Sequence, residues 1–312
     1  MDLSIIIVSW NTKHLLQQCL RSLEEHVEAF KPSAAGPRSN ACPDRSRRVE
    51  TFVVDNASTD GSADMVRERF PGVHLIESEE NLGFARANNR AIRRSGGRYV
   101  LLLNSDTLVR EGAITRMLSF MDRHRQVGVL GPALLNDCGD VSPSWAQFPT
   151  LVSELFERHP RTRKPFLDHM RSSQDSNAYE VDWMAGACLL VRRQAIDQVG
   201  LMDERFFLYS EETDWCRRIK SAGWLNVYYP EARVVHVEGA SSVRDRPRTL
   251  LLLNRSKILY AEKHFGSQRA SALRVGLGLR ALAKAALRLL QARPADARAQ
   301  WTVARHLWSD LL

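Results

Sequence analysis

Short apolar runs alternate with amphipathic segments through the first 120 residues of the chain. Leu3–Ser9 is rich in β-branched residues and apolar on both faces, as buried parallel strands are. The segment from Lys13 to about Glu28 then repeats its leucines with helical spacing. Further strands are predicted at 49–54, 73–76 and 99–103, and further helices at about 63–70 and 84–95. This order predicts an α/β fold with a mostly parallel, doubly wound sheet.

The pattern changes after Gly131. Residues 131–180 are rich in Pro, Ser, Asp and Trp, which predicts a variable excursion from the sheet. Beyond it, the pattern predicts an apolar segment at 183–191, helices at 194–199 and 212–222, and strands at 227–229 and 233–237. From about Thr249 the chain reads as helical, so we expect a domain over 1–245 and a helical region over 246–312.

Composition limits the classes of protein that fit. The 312 residues are 44% hydrophobic and 26% charged, typical of a globular chain. Apolar runs stay far below the ~18 residues of a spanning helix, and the N-terminus lacks the basic region of a signal peptide. Five cysteines without a CxxC pair suit a reducing compartment. We therefore expect the protein to stay in the compartment where it is made.

A net charge of +8 indicates an anionic partner: nucleic acid, nucleotide or acidic lipid. Residues 31–48 combine prolines with basic residues but no stacking aromatics, which predicts an exposed insertion. Residues 269–293 predict a basic amphipathic helix. Its basic arc holds Arg269, Arg274, Arg280, Lys284 and Arg288, opposite Val275, Leu279, Leu282, Ala286, Leu289 and Leu290. Such a helix either lies on an anionic membrane or packs on its own domain with a solvated basic face.

Polar residues follow three of the predicted strands. They are Ser9-Trp10-Asn11, Asp55-Asn56 and Asn104-Ser105-Asp106. Ligands of open parallel sheets bind beyond these carboxyl ends. Asp55 either accepts a hydrogen bond from a pyrimidine base, which Trp10 would cover, or caps a turn. Asp106 is placed to hold a hard divalent cation against substrate phosphates.

A second acidic cluster, Glu211, Glu212 and Asp214, follows the aromatic run at 206–209. Acids at a helix N-terminus are ordinary companions of the helix dipole. Partial desolvation beside aromatics would instead raise their pKa values and suit a general base. His236 interrupts an apolar strand, so it is either a core histidine or a nitrogen ligand for the cation at Asp106.

Several catalytic motifs are missing from the sequence. Neither GxGxxG after the first strand nor GxxxxGK[ST] occurs, which disfavours dinucleotide oxidoreductases and P-loop enzymes. HExxH and GxSxG are also missing, which disfavours zinc and serine hydrolases.

In series, seven segments resemble inverting family 2 glycosyltransferases of the GT-A fold, above all the bacterial rhamnosyltransferase-like branch and the galactofuranosyltransferases. Together they span roughly residues 3–240. The segments are IIVSWN (6–11), VVDNASTDGS (53–62), NLGFARANN (81–89), LLLNSDT (101–107), WMAGA (183–187), DERFF (203–207) and EETDW (211–215).

The resemblance implies a role for each site residue. Residues 1–125 would bind the nucleotide sugar and 126–245 the acceptor. Nucleotide contacts would come from Ser9, Trp10, Asn11, Asp55, Asn56, Asn81, Gly83, Asn88, Asn104, Ser105 and Asp106. Trp183, Gly186 and Ala187 would form the floor where donor sugar meets acceptor. Asp106 and His236 would hold Mg²⁺ or Mn²⁺, although Asn104 replaces the first acid of the family's DxD motif.

The same resemblance implies the chemistry. Glu212 falls on the family's catalytic base, with Glu211 and Asp214 as alternatives. The expected reaction moves rhamnose or another sugar from a dTDP- or UDP-sugar to a glycan or lipid-linked acceptor, with inversion, during cell-surface polysaccharide synthesis. We expect a cytoplasmic enzyme without a nucleic-acid partner, which is peripheral on the inner membrane face if 269–293 lies on the membrane and does not pack on the domain. The alternatives are a polyprenyl-phosphate sugar transferase, a nucleotidyltransferase, a silent scaffold and a basic nucleic-acid-binding protein.

Overall fold

The computed structural model describes residues 1–27, 48–156, 164–165, 177–237 and 246–309. The predicted insertion at 31–48 lies outside the described residues except for Arg48. In the first half, strands and helices alternate as the sequence predicts. The elements are β1 (Leu3–Ser9), α1 (Lys13–His26), β2 (Val49–Asp55), α2 (Ser62–Arg69), β3 (His74–Glu77), α3 (Gly83–Ile92), β4 (Tyr99–Asn104), β5 (Thr107–Val109) and α4 (Ala113–Arg123).

The second half adds shorter strands and then the C-terminal helices. Its strands are β6 (Val127–Leu135), β7 (Trp145–Ala146), β8 (Lys164–Pro165), β9 (Tyr179–Glu180), β10 (Trp183–Met184), β11 (Cys188–Arg192) and β12 (Leu225–His236). Its helices are α5 (Leu151–Phe156), α6 (Arg193–Val199), α7 (Glu211–Ser221), α8 (Arg246–Phe265), α9 (Ser267–Leu290) and α10 (Pro294–Ser309).

Ten of the described strands form one sheet in the order β3-β2-β1-β4-β11-β6-β12-β9-β8, with β5 paired to β12. Pairing is parallel from β3 to β4 and between β6 and β12, whereas β11 runs antiparallel to both of its neighbours. Ile5 and Ile7 point into one apolar layer and Ile6 into the other. Burial on both faces explains why these strands read as continuous apolar runs, and the doubly wound prediction is confirmed.

The expectation of a variable excursion from residue 131 is wrong for its first five residues. Residues 131–135 belong to β6, which is buried along its whole length between β11 and β12. Gly131 reads as loop chemistry, but a Cβ there would lie 2.7 Å from the Met184 sulfur. The glycine is therefore required by close packing in the middle of the sheet.

The two strands predicted at 227–229 and 233–237 form a single strand, β12, that ends at His236. Its register against β6 shifts between Tyr229 and Arg233. Such a bulge inserts extra residues and bends the strand without ending it. The bulge lies around Pro230, which the sequence pattern reads as a break.

The predicted C-terminal helical region consists of α8, α9 and α10, which share an apolar cluster that includes Ile258, Leu277 and Leu307. Ser256 of α8 donates a hydrogen bond to the Leu208 carbonyl at 2.7 Å, so this region packs directly on the sheet domain. No helix within the described ranges is long and apolar enough to cross a membrane. The division of the chain at residue 245 stays a prediction.

Helix α9 packs on its own domain, but through a different face from the one its sequence suggests. Leu273 and Leu277 are buried, whereas Val275 and Leu279, on the predicted apolar side, are exposed. Arg280 is half-buried and donates to the Leu155 carbonyl at 2.8 Å. The basic arc is therefore only partly solvated, because Arg280 contacts the packed domain whereas Arg269 is exposed.

Candidate active site

The carboxyl ends of β1, β2 and β4 meet at one edge of the sheet. In the strand register, Ser9 pairs with Asp55 and Val8 with Asn104. The amide of Asn56 donates to the Ser9 carbonyl at 2.8 Å. The three polar segments of the sequence are thus neighbours, as parallel pairing requires.

Hydroxyl groups tie the ends of β1 and β4 together. Ser9 Oγ lies 2.9 Å from Thr12 Oγ1, which lies 2.9 Å from Ser105 Oγ. All three side chains are buried. This chain of hydrogen bonds holds the end of β4 against the end of β1. It thereby positions Asn104 and Asp106, the two neighbours of Ser105 in the sequence.

Asp55 caps a turn, which is one of the two roles that its sequence context suggests, and its contact with a base stays a prediction. One carboxylate oxygen, Oδ2, accepts the amide of Ser58 at 3.0 Å and so caps the turn. The other, Oδ1, is buried and accepts no hydrogen bond from the described residues. A buried carboxylate oxygen without a donor is costly unless a ligand supplies one. Asn11, which has a φ of 54°, holds the same turn by accepting the amide of Thr59.

Asn56 clamps the segment that leads into α3. Its side chain donates to Asn81 Oδ1 at 3.0 Å and accepts the amide of Leu82 at 2.8 Å. Gly83 has a φ of 75°, and a Cβ there would clash with the Phe207 carbonyl. Glycine is therefore required at this approach between α3 and the 203–210 loop. Asn88 is buried and donates to the Phe84 carbonyl one turn earlier in α3.

A cavity of about 340 Å³ opens at this edge of the sheet. Trp10, Asn56, Asn81, Gly83, Asn104, Ser105 and Asp106 line it, as predicted for a nucleotide site. Ser9, Asn11, Asp55 and Asn88 are not among its lining residues. Its remaining residues are Val8, Thr12, Phe84, Phe207, Leu208, Tyr209, His236, Arg248, Thr249 and Leu252.

Sequence reasoning missed the contribution of α8 to this cavity. Arg248, Thr249 and Leu252 lie on its first turns, in a region expected to be separate from the site. Among the described residues that line the cavity, Arg248 is the only lysine or arginine. No local motif marks it, because its position depends on where α8 packs.

Asp106 and His236 meet in the same cavity. The carboxylate oxygen Oδ1 lies 3.3 Å from His236 Nε2, and β5 pairs with the end of β12 beside them. Oδ1 is buried and accepts no hydrogen bond from the part of the chain described. No group of three or more metal-ligating side chains occurs among the described residues. One carboxylate and one imidazole still fit a divalent cation whose other ligands are substrate phosphates.

Glu211 and Glu212 begin α7, and Gly186 lies between Glu212 and Phe84. A Cβ placed on Gly186 would lie 3.5 Å from the Phe84 ring and 3.7 Å from Glu212 Cβ. Burial raises the pKa of Glu212 to about 7. Burial, together with the charge of Glu212, raises the pKa of Glu211 well above its usual value. In both carboxylates, Oε2 accepts no hydrogen bond from the described residues.

The turn before α7 has an unusual backbone. Tyr209 and Ser210 have φ values of 73° and 66°, in the left-handed region that residues other than glycine rarely adopt. Strain of this kind persists where the surrounding structure imposes it and is concentrated at functional sites. Here it directs the chain from the cavity wall at Tyr209 into the two glutamates.

Asp214, the third acid of the cluster, is fully buried and surrounded by basic groups. Arg218 Nε lies 2.9 Å from Oδ2, and His264 Nε2 and Lys263 Nζ each lie 2.8 Å from Oδ1. Burial alone would raise its pKa, but hydrogen bonds from His264 and Lys263 and the charge of Arg218 lower it. These contacts make Asp214 an anchor between α7 and α8.

The predicted sugar floor, Trp183, Gly186 and Ala187, reaches these acids through Gly186. Ala187 is buried and accepts the amide of Asn104 at 2.9 Å, which ties it to the end of β4. Trp183 is half-buried and donates its indole N–H to the Gln147 carbonyl at 2.8 Å. Gly186, between them in sequence, is the residue that approaches Glu212.

Comparison with known proteins decides the family. Residues 4–200 match the model of glycosyl transferase family 2. The chain belongs to this family. An N-acetylglucosaminyl-diphospho-decaprenol L-rhamnosyltransferase of Mycobacterium tuberculosis is 34% identical over 257 residues, which cover 75% of this chain and 82% of the relative. A dTDP-rhamnosyl transferase of Shigella flexneri is 27% identical over 64% of each chain.

Solved structures of glycosyltransferases share the fold of this family 2 chain. A mannosyltransferase from Pyrobaculum calidifontis, in complex with GDP-Man and Mn²⁺, gives a TM-score of 0.54 at 17% identity and covers 99% of this chain and 87% of its own. GalNAc-T7 with UDP, GalNAc and Mn²⁺ gives 0.58 at 15% identity, over 84% of this chain and 50% of its own. At these identities the likeness shows the fold alone.

These findings confirm the glycosyltransferase prediction, the rhamnosyltransferase-like branch and the GT-A fold with its helical C-terminal region. The match to the family model ends before Glu212, His236 and Arg248. The roles of all the site residues stay predictions that rest on motif and geometry.

Proposed function

We propose that this enzyme transfers rhamnose or a related sugar from a dTDP- or UDP-sugar to a hydroxyl of a lipid-linked glycan, with inversion, at the cytoplasmic face of a membrane. The observation that carries the proposal is the pairing of Asp106 with His236 in the cavity that Trp10 lines. The names of the rhamnosyltransferase relatives support the choice of sugar, and the name of the mycobacterial relative supports a lipid-linked acceptor.

Donor binding uses the edge of the sheet. Trp10 is exposed at the cavity mouth and would offer a ring face to the base, and Asp55 Oδ1, which is buried and without a donor among the described residues, would accept its N–H. Asn104 and the Asn56–Asn81 clamp, which line the cavity, would contact the ribose. Asp106 and His236 would hold Mg²⁺ or Mn²⁺, which when bound neutralises charge on the leaving diphosphate. Arg248, which lines the same cavity, adds a positive charge there.

The reaction is a single displacement. The acceptor oxygen forms a bond to the anomeric carbon on the face opposite the diphosphate, and the bond from that carbon to the diphosphate oxygen breaks. Glu212 takes the hydroxyl proton, for which a pKa of about 7 is suited. Glu211 is the alternative base. Asp214, which is held by Lys263 and His264, keeps α7 in place.

Thermal unfolding with dTDP, UDP and GDP, with and without Mn²⁺, tests the proposal. A ligand at ~100 times its Kd adds about 2.7 kcal/mol to the stability of the folded state. We expect a Mn²⁺-dependent rise in Tm with dTDP or UDP that is lost in Asp106→Ala and kept in the exposed control Asp64→Ala. Absence of any nucleotide effect on the folded wild type would refute the proposal.

A further inference from the structure

Helix α9 is apolar on two faces. Its inner face packs against α8 and α10 through residues such as Leu273, Leu277 and Ala281. A second row, which we call the outer stripe, is exposed along five turns without one polar side chain. The outer stripe consists of Ala272, Val275, Leu279, Ala283, Ala286 and Leu290. Spacings of three and four residues place all six on one face.

The surface continues beyond the outer stripe. Leu287 and Leu289 are also exposed near the C-terminal end of α9, and Leu290 is 86% exposed. Trp301 of α10 is exposed, two turns before Trp308, which packs against Gly278 of α9. Since residues seven apart share a helix face, Trp301 lies on the side of α10 that borders α9. A contiguous apolar surface of this kind marks an interaction site.

The charge of the region indicates what covers this surface. Residues 246–312 contain thirteen Lys or Arg and three Asp or Glu, so they carry more than the whole net charge of +8. A second copy docked through the same face would bring two strongly positive regions together. An anionic bilayer attracts them instead, at about 1 kcal/mol per basic residue near its surface.

The exposed residues also suit a bilayer interface. Arg298 and Arg305 flank Trp301 at i−3 and i+4, and all three are exposed on α10. Tryptophan is enriched at the level of the lipid headgroups, and arginines extend their charge to that level while their stems stay in apolar surroundings. Helices that lie in the interface bury an apolar face and keep basic residues beside it.

We propose that the outer stripe and Trp301 dock this enzyme on an anionic membrane surface, with the outer stripe entering the acyl boundary. The outer stripe includes Val275, Leu279, Ala286 and Leu290, which belong to the apolar side that the sequence predicts opposite the basic arc. Helix α8, whose first turn lines the cavity, packs on α9, so docking brings the active site to the membrane. That consequence rests on the proposed function, whereas the docking stands on the surface itself.

Vesicle flotation tests the docking. The full chain is mixed with vesicles of phosphatidylcholine alone, or with vesicles of phosphatidylcholine that contain about 30% of the anionic lipid phosphatidylglycerol. The variant is Leu279→Gln with Leu290→Gln, and the matched control is Val141→Gln, an exposed valine in the sheet domain. We expect wild type and control to bind only the anionic vesicles, and the double variant to bind at least ~10-fold less.

Three outcomes would overturn the docking: wild type that binds no anionic vesicles, a double variant that binds like wild type, or a soluble dimer that the double variant converts to monomer. Tm and dTDP or UDP binding are measured on the same samples. Because the outer stripe lies outside the cavity, both should equal wild type in the double variant. A protein that binds vesicles but no nucleotide would refute the proposed function and leave the docking intact.

Discussion

Asp106 Oδ1 lies 3.3 Å from His236 Nε2. The backbone joins the same two segments of the chain, because the amide of Val237 donates to the Asp106 carbonyl at 2.9 Å. An acid and an imidazole from distant parts of the sequence are thereby held side by side in the cavity. If they share one cation, the two residues act as a unit, and their substitutions should not add.

We expect His236→Ala and Asp106→Asn each to abolish the Mn²⁺-dependent part of dTDP or UDP binding, and the double variant to lose no more than either alone. Calorimetric titration with and without Mn²⁺ measures this coupling. His14→Ala, at an exposed site on α1, is the control. Retention of the Mn²⁺ effect in His236→Ala would remove this residue from the metal site.

Glu212→Gln should lower the rate of sugar transfer by about 10²–10⁴-fold, because the amide cannot take the acceptor proton. Binding of the nucleotide diphosphate should stay unchanged, since Glu212 lies beside Gly186 and does not line the cavity. Steady-state transfer rates of Glu212→Gln and Glu211→Gln are compared. A larger loss in Glu211→Gln would transfer the role of base to Glu211.

The raised pKa of Glu212 predicts a pH dependence of the activity. A base must be deprotonated, so kcat/KM should fall as the pH drops below about 7. A pH–rate profile from about pH 5 to about pH 9, which extends ~2 pH units on either side of this pKa, records the fall in kcat/KM. A kcat/KM that does not change through this pH range would contradict the raised pKa of Glu212 as the base.

The raised pKa of Glu212 also makes the stability of the folded state depend on pH, in the direction opposite to that of the activity. The folded protein binds the Glu212 proton more tightly than the unfolded chain, so this contribution to stability is complete below about 4.5 and is lost as the pH rises through about 7. Glu212→Gln should therefore exceed wild type in stability by about 1–3 kcal/mol at high pH and by less at low pH. Urea unfolding of Glu212→Gln and wild type, at the low and the high end of the pH range used for the activity profile, measures the difference in their free energies of unfolding.

Arg248→Ala should weaken binding of a nucleoside diphosphate by roughly 10–100-fold, the value of a charge-assisted hydrogen bond. The unphosphorylated nucleoside should bind equally well to both forms. Arg255→Ala, on the same helix but outside the cavity lining, is the matched control. Equal losses for nucleoside and diphosphate would indicate that Arg248 supports the cavity wall and does not contact phosphate.

Asp214→Asn should destabilise the fold by about 3–5 kcal/mol at neutral pH, because Lys263 and His264 would lose a buried partner. Because the folded-state pKa of Asp214 is lowered, its contribution is present above 3.8 and is lost as the pH falls through the folded value. The difference from wild type should therefore shrink in acid. Asp64→Asn, which breaks an exposed pair with Arg67, should cost less than about 1 kcal/mol.

The sequence by itself determined the parallel part of the sheet, from β1 to β4, and the edge where the candidate site lies. Runs such as Leu3–Ser9, apolar on both faces, form strands only when covered on both sides, and helices with amphipathic spacing supply the cover. Parallel pairing then forces the carboxyl ends to share one edge. Ser9, Asp55 and Asn104 became neighbours through this local rule, which needs no knowledge of distant contacts.

Only the tertiary structure decided which distant residues complete the site. His236 reaches Asp106 through the pairing of β12 with β5, and Arg248 enters the cavity because α8 packs there. The three acids of α7 look alike in sequence. In the structure, Lys263 and His264 pair with Asp214, whereas Glu212 lies beside Gly186. Likewise, a helix that is apolar on two faces, such as α9, does not specify which face is buried. Its partner helices make that choice, because burial is set by what packs against a face and not by the face alone.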